Sequence, residues 1–472
     1  MTQGRHAVIV VGGGVTGLAT AWWLKKSGLD VLVLESDDVV GGTMKTIRED
    51  GWLIESGPNT ALETTPLFGT LGGDCRIAGE VRYGNEQANR RYILRGGTLH
   101  LLPMTPGGLL GSRLWSWRGK LRLAGEPFIG RGRKDETIAE FVERRLGREF
   151  LDYAINPFVA GVYAGDPARL SVRAAFPKLY ALEERYGGLI RGQIQGARER
   201  KRRAEKAKDR ARLFSYAEGM QTLPEALGRA LGGSLLTGAA VQEIRVLDSV
   251  AEGARFEVQG KHKGGPVRFF CSVLVTAVPA DRAAGLIRPL DPAVASALRE
   301  IPYPPVAEVF LGFRADQVRR PLDGFGFLVP EKERRQILGT LWSSTLFEGR
   351  APKGHVALTT FIGGSRQSDL ALKPDGILLD SALSDLRPLL GIDGKPAIVR
   401  IIRWQRAIPQ YEIGHLEKMR SLQEFEQRIP GLFVTGNFRG GISVGDCMVS
   451  ADQTALRVRK HLQGSPAMVA AV

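Results

Sequence analysis

The sequence predicts an α/β protein in which a parallel, nucleotide-holding sheet is assembled from separate stretches of the chain. Three observations predict it. The apolar run Ala7 to Val11 feeds directly into a glycine turn, Gly12-Gly13-Gly14-Val15-Thr16-Gly17. Further short apolar runs ending in turn residues return far downstream, at Phe269 to Val278 and at Gly431 to Gly436. Between them the pattern changes twice, to helical spacing over Asp135 to Tyr186 and to mixed strands and helices over Pro302 to Trp404.

The first unit is a Rossmann-like strand, glycine turn, helix and strand. Gly12 permits the tight turn out of the strand, Gly14 lets backbone amides approach a pyrophosphate, and Gly17 lets the helix pack closely on the sheet. The pyrophosphate then sits at the positive end of that helix. Glu35 closes the next apolar run, Val31 to Leu34, where a carboxylate accepts hydrogen bonds from the adenosine ribose and disfavours a 2′-phosphate. These residues leave NAD and FAD equally open.

The chain of 472 residues, 43% hydrophobic and 24% charged, has material for two or three domains with large cores. Its formal charge of +15 fits anionic partners or merely a basic surface. Cys75, Cys271 and Cys447 are isolated, which excludes a disulfide framework or paired-cysteine zinc site and fits a reducing compartment. No metal site is expected. The first strand begins a few residues after Met1, leaving no room for a signal peptide, and no apolar run reaches the ~18 residues of a membrane span. Any membrane contact is expected to be peripheral.

Ile138, Phe141, Val142 and Leu146 recur at helical spacing, with helices expected to end at Pro157 and to restart beyond Asp166-Pro167. The charge run Arg198 to Arg212 carries neither an aromatic residue nor an apolar stripe, so it reads as a solvated helix or loop; no recognition motif points to nucleic acid. Strands are expected at Val241 to Val246 and Arg255 to Val258, and a closing helix from about Gly445 to Leu462.

Further glycine sites separate the cofactors. Gly41-Gly42-Thr43 lies just beyond Glu35, Glu55-Ser56-Gly57-Pro58-Asn59 follows a hairpin-like segment, and Thr435-Gly436-Asn437 precedes Gly441-Ile442-Ser443-Val444-Gly445. This layout resembles flavoproteins of the amine oxidase and phytoene desaturase superfamily, and so implies FAD. Val39 stands where that superfamily usually has arginine. Within the superfamily, Asn156 to Pro167, Ala175-Phe176-Pro177, Gly324 to Pro330, Leu338 to Leu341, Phe361 to Gly364 and Ile408 to Tyr411 with Gly414-His415 resemble the oxygen-dependent protoporphyrinogen oxidase family, over nearly the whole chain.

The resemblance implies a division into FAD-binding segments 1–88, 214–285 and 430–472, substrate-domain segments 89–110 and 286–429, and a helical membrane-associating domain over 111–213. It implies FAD contacts from Gly12, Gly13, Gly14, Val15, Thr16, Gly17, Glu35, Ser36, Gly42, Thr43, Gly57, Pro58, Asn59, Thr60, Val241, Trp404, Gly436, Ile442, Ser443 and Val444. For the substrate it implies Arg91 on a propionate, Leu328, Leu341 and Phe361 around the tetrapyrrole, and Ala160 and Gly161 as a narrow backbone wall. No side-chain catalyst is implied, because flavin N5 accepts the hydride. His415 reads as structural.

The implied reaction is oxidation of protoporphyrinogen IX to protoporphyrin IX by dioxygen, with release of hydrogen peroxide, over three two-electron cycles. A cytoplasmic location, peripheral contact with anionic membrane through Leu109, Leu110, Leu114, Trp115, Trp117, Arg113, Arg118 and Lys120, and a homodimer are compatible with it. The nearest alternative is coproporphyrinogen III oxidation, with Arg90 and Arg95 as added cations for a four-propionate substrate. More distant are an amine oxidase, a carotenoid desaturase and a non-catalytic tetrapyrrole carrier.

Overall fold

The computed structural model describes residues 2–103, 105–132, 135–202, 211–247 and 254–464. Two seven-stranded sheets organise the chain. In the first, Leu235–Leu236, Val31–Leu34, Thr2–Val11, Gly265–Thr276 and Leu432–Val434 run parallel, and Phe256–His262 and Ala239–Val246 extend it antiparallel. Alternate residues of Thr2–Val11 bury opposite faces. Val8 and Val10 pack beneath the helices Val15–Lys26 and Val444–Gln463, while Ile9 and Val11 join the core that includes Ala284, Ile287 and Leu298. Burial on both faces explains why these strands are continuous apolar runs.

The second sheet runs in the order Ile398–Trp404, Val306–Arg314, His355–Gly363, Ile337–Leu341, Gly326–Leu328, Arg91–Arg95 and Thr98–Leu101. Every pairing is antiparallel except Gly326–Leu328 with Arg91–Arg95. Its odd-numbered face at Ala307, Val309, Leu311 and Phe313 packs with Leu378, Ala382 and Leu386 of the helix Asp375–Leu390. The opposite face meets the hairpin Thr46–Glu49/Trp52–Glu55 through Trp52, Ile54, Phe310 and Ile402, and meets Ala160 and Ala164 through Val306 and Phe361.

Helices fill the chain from 138 to 202 around Phe141, Val142, Val159 and Leu170. One expectation is corrected here. Pro157 does not end a helix: it sits in the first turn of the helix Asn156–Tyr163, entered through a π-helical turn at Leu151–Ile155. A first-turn proline gives up no needed donor, and the widened turn ahead of it relieves the ring's clash with the preceding carbonyls. The helix stops instead at Ala164, which adopts a left-handed conformation at φ 49°.

The expected interfacial segment also divides. Leu114 and Trp115 are core residues, with Trp115 stacked on Phe150 at 4.5 Å, whereas Leu110 and Trp117 are 60% and 68% exposed. Part of the charge run, to Arg202, continues the helix Leu189–Arg202; its centre at 203–210 lies outside the described residues. At its end Arg212 covers the ring of Tyr83 at 3.4 Å.

Candidate active site

The carboxyl ends of the parallel strands converge on one cradle. A side chain at Gly17 would overlap the carbonyl of Gly12, and one at Gly12 would lie 2.6 Å from the carbonyl of Ala277, so neither position admits a Cβ. At Gly14, by contrast, a Cβ would meet open space. The turn is thus closed against the protein and open where a ligand's phosphates can approach the helix start at Val15 and Thr16. This shape fits a dinucleotide.

The Gly13 amide donates to Glu35 Oε2 at 2.5 Å, and the Asp37 amide and Ser36 hydroxyl donate to Oε1 at 2.8 and 3.0 Å. The carboxylate is therefore held at the strand end, next to the glycine turn. The Gly41 amide donates to the Gly13 carbonyl at 2.9 Å, which brings Gly42 and Thr43 over the turn, and Gly57 packs where a side chain would overlap the carbonyl of Thr43. Pro58, Asn59 and Thr60 follow directly, with Asn59 Nδ2 donating to the Gly57 carbonyl at 3.0 Å. Behind Glu35, its carbonyl accepts from the Ala239 amide at 2.7 Å, two residues before Val241.

From the chain's far end, the Thr435 amide donates to the Thr276 carbonyl at 2.8 Å and sets Gly436 beside the first strand's turn. Tyr411 fixes the next loop: its hydroxyl donates to the Asn437 carbonyl at 2.5 Å and accepts from the Gly441 amide at 3.0 Å. Ile442 follows, and Ser443 and Asp446 form a capping box at Val444, where a side chain on Gly445 would overlap Thr64 Oγ1. Trp404 lies on the edge strand of the second sheet beside Val306, on the face of that sheet shared with Phe361. His415 stacks on Tyr411 at 4.2 Å, and burial pushes its pKa down to about 4, so it is a neutral packing partner.

The second sheet supplies an apolar trough on the face toward this cradle. Register puts Phe361, Gly339, Leu328 and Ile93 in one row, and Thr359, Leu341, Gly326 and Arg91 in the next. Gly326 and Gly339 leave the floor bare between side chains, since a Cβ at either would run into Thr340 or Phe327 backbone. Gly161 closes over Leu328, where a Cβ would come within 2.5 Å of Cδ2, and Ala160 packs with Phe361. At one end Arg91 lies over the ring of Phe325 at 5.2 Å; desolvation lowers its pKa, and among the described residues no carboxylate pairs with it. Arg90 and Arg95 are committed, to Asp323 at 2.6 Å and to Glu149 at 2.8 Å.

A sequence profile described as flavin containing amine oxidoreductase matches residues 15–459, spanning the cradle and the trough together. The chain belongs to this family. The chain is thus an FAD-dependent oxidoreductase, and the shape of the glycine cradle fits such a dinucleotide. It is 35% identical to the mitochondrial protoporphyrinogen oxidase of Nicotiana tabacum, covering 97% of this chain and 95% of that protein. It is 29% identical to the coproporphyrinogen III oxidase of Bacillus subtilis over 95% of this chain and 97% of that protein. Among solved structures it resembles a crystal structure from Exiguobacterium that bears a provisional protoporphyrinogen oxidase designation, with TM-score 0.79 and 23% identity over 98% of this chain and all of that one. A putrescine oxidase variant matches with TM-score 0.70 at 15% identity over 97% of this chain and 99% of that one, a likeness of fold.

Two features where the hairpin meets the second sheet escaped the sequence reading. Glu55 and Arg350 pair at 3.4 Å, both buried, beside a small cavity lined by Asn59, Thr60, Ser343 and Thr359. Glu308 is the one charge inside the apolar strand Val306–Arg314, whose other charged residue, Arg314, stands at its exposed end, a visible signal that alternation alone does not interpret. No group of three or more metal-ligating side chains occurs among the described residues, nor any helix long and apolar enough to cross a membrane.

Proposed function

We propose that this flavoenzyme oxidises protoporphyrinogen IX to protoporphyrin IX, with dioxygen as acceptor and hydrogen peroxide as co-product. The observation that carries the reading is a flat apolar trough on the cradle's side of the second sheet that ends in one accessible, unpaired cation, Arg91. A tetrapyrrole with propionates at one edge asks for that combination. Near full-length similarity to a protoporphyrinogen oxidase supports it.

Leu328, Leu341 and Phe361 hold the macrocycle's faces, Ala160 and Gly161 bound it by backbone, and Arg91 pairs with a propionate. Gly12, Gly14 and Gly17 admit the dinucleotide's phosphates, and Glu35 accepts hydrogen bonds from its ribose. When bound, FAD supplies an acceptor for the hydride of the substrate's bridging carbon. The residues' contribution is to place that carbon and exclude water. In this reading residues 89–110 and 286–429 form the substrate domain, and the FAD-binding segments surround it.

Coproporphyrinogen III oxidation is the second reading, favoured by the relatives named coproporphyrinogen III oxidase at 29% and 30% identity. The commitment of Arg90 and Arg95 to acidic partners counts against extra propionates. Location belongs to the same proposal: a cytoplasmic protein with peripheral membrane contact through Leu110, Trp117, Leu121 and Phe128, which are 60%, 68%, 72% and 87% exposed, with Lys120 over the Trp117 ring.

The test follows porphyrin fluorescence with FAD-loaded protein given each porphyrinogen in parallel, corrected for autoxidation with heat-killed enzyme. Faster turnover of protoporphyrinogen IX is expected. Preference for coproporphyrinogen III moves the enzyme to the second reading, and no rate above background with either removes both.

A further inference from the structure

Glu308 lies in the strand Val306–Arg314 with 4% of its surface exposed. Register sets it between Phe361 and Ile402, and sets Val306, two residues before it, beside Trp404. Its side chain therefore shares the sheet face of Phe361, Leu341 and Leu328, at the end of the trough that meets the hairpin Trp52–Glu55. Glu308 Oε2 and the indole Nε1 of the neighbouring Trp404 are both buried without a well-formed hydrogen bond, and the indole lies close enough to favour the carboxylate in part.

An ionised carboxylate in such a place costs several kcal/mol unless it is paired. Arg350 is turned to Glu55 instead, at 3.4 Å, Arg400 on the neighbouring strand pairs with Glu49, and no described ion pair involves Glu308. Burial holds the Glu308 carboxyl well above the usual carboxylate range; the charge of Glu55 adds to the rise, and the Trp404 side chain offsets it only in part. From the hairpin, Glu55 is the titratable group that faces it, with Arg350 behind. The neighbouring strands present Phe361, Thr359, Ile402 and Trp404, with Arg400 one position further along and paired to Glu49, and the helix Asn156–Tyr163 presents Ala160. A buried carboxyl with no cation paired to it, on the face of a reaction site, is what proton transfer near neutral pH requires.

We propose that Glu308 accepts the pyrrole N–H proton released in each two-electron oxidation. The proposal rests on the porphyrinogen reading above. In each cycle a C–H bond at the bridging carbon breaks and its electron pair leaves with the hydrogen to the flavin. The N–H bond breaks with its pair staying on the macrocycle to close the new π bond, and an O–H bond forms on the Glu308 carboxylate. The proton then passes to solvent before the next cycle, and a tautomeric shift of one hydrogen from the fourth bridging carbon to a ring nitrogen leaves the porphyrin with its two N–H groups.

The test compares holoenzyme with Glu308→Gln, which keeps the shape, and Glu308→Asp, which keeps the acid. Flavin reduction is followed anaerobically across pH, retained FAD and thermal midpoint report folding, and infrared difference spectra of the holoenzyme titrate the carboxyl directly. Wild-type rates should climb tenfold per pH unit and level off at the pKa seen in the infrared. Glu308→Gln should lose that limb and on the order of 10²–10⁴ in rate, while affinity for protoporphyrin IX as a bound product stays within twofold; Glu308→Asp should keep the limb at reduced rate. A Glu308→Gln enzyme as fast as wild type, a limb that persists in it, or a limb that falls with rising pH overturns the proposal alone. A wild-type enzyme that reduces no flavin with any porphyrinogen overturns the underlying reading and this proposal together.

Discussion

The Gly13 amide donates to Glu35 Oε2 across 2.5 Å, joining the glycine turn to the end of the second strand. The same carboxylate takes hydrogen bonds from Asp37 and Ser36, so its position is set before any ribose arrives. A charge-assisted bond of this kind contributes about 1.5–3 kcal/mol. Glu35→Gln should therefore weaken FAD binding roughly 10–100-fold, measured as flavin fluorescence released on dilution. Undiminished retention of FAD would show that Glu35 orders the turn without serving the cofactor.

Arg91 is the accessible cation at the end of the trough. Arg91→Ala should raise KM for protoporphyrinogen IX by roughly 10–100-fold, the loss of one charged contact, and leave kcat within a few-fold. A steady-state comparison at fixed FAD occupancy decides it, and an unchanged KM removes Arg91 from the substrate site.

Gly161 lies where a Cβ would come within 2.5 Å of Leu328 Cδ2. That neighbour is the end of a flexible side chain, so the fold yields easily and the trough does not. Gly161→Ala should leave the thermal midpoint unchanged or slightly higher, since alanine favours a helix, while KM rises several-fold. A matched loss of stability and activity would instead mark a purely structural glycine.

Arg145 is buried completely, with Nη1 at 2.9 Å from Glu126 Oε1 and Nε at 2.6 Å from Glu183 Oε2. Glu126 also takes the amides of Leu189 and Ile190. Arg145→Ala should cost about 3–5 kcal/mol in denaturant unfolding, because it leaves the buried Glu126 carboxylate without a cation and Glu183 with Arg144 alone. Burial would raise the Glu183 pKa, but bonds from Arg145, the Gly132 amide and Arg144 outweigh it and hold it low. Its stabilisation is thus present above the unfolded carboxylate pKa and lost as pH falls through the folded one.

His415, with its pKa pushed down to about 4, stays neutral in the fold while the unfolded chain takes up a proton near pH 6.5. Stability contributed by the neutral ring is complete above that value and declines as pH falls toward about 4. His415→Phe should keep the stacking on Tyr411 and flatten the decline between pH 7 and pH 5. Equal slopes for the two proteins in urea unfolding would contradict the assignment.

Features with a local steric cause were legible in the sequence by itself. The glycine turn at Gly12 to Gly17, Glu35 at its strand end, the returning runs near 274 and 433 and the family resemblance were all readable, because backbone crowding and burial on both faces leave few residue choices at each place. The tertiary structure alone decided which groups share a face or a buried partner. Glu308 beside Phe361, Arg350 against Glu55, Arg95 drawn to Glu149 and Trp115 turned inward each depend on strand register or on elements far apart in the chain. A one-residue slip in register sends every side chain to the other face, so a lone glutamate in an apolar strand acquires its meaning only when its neighbours are in place.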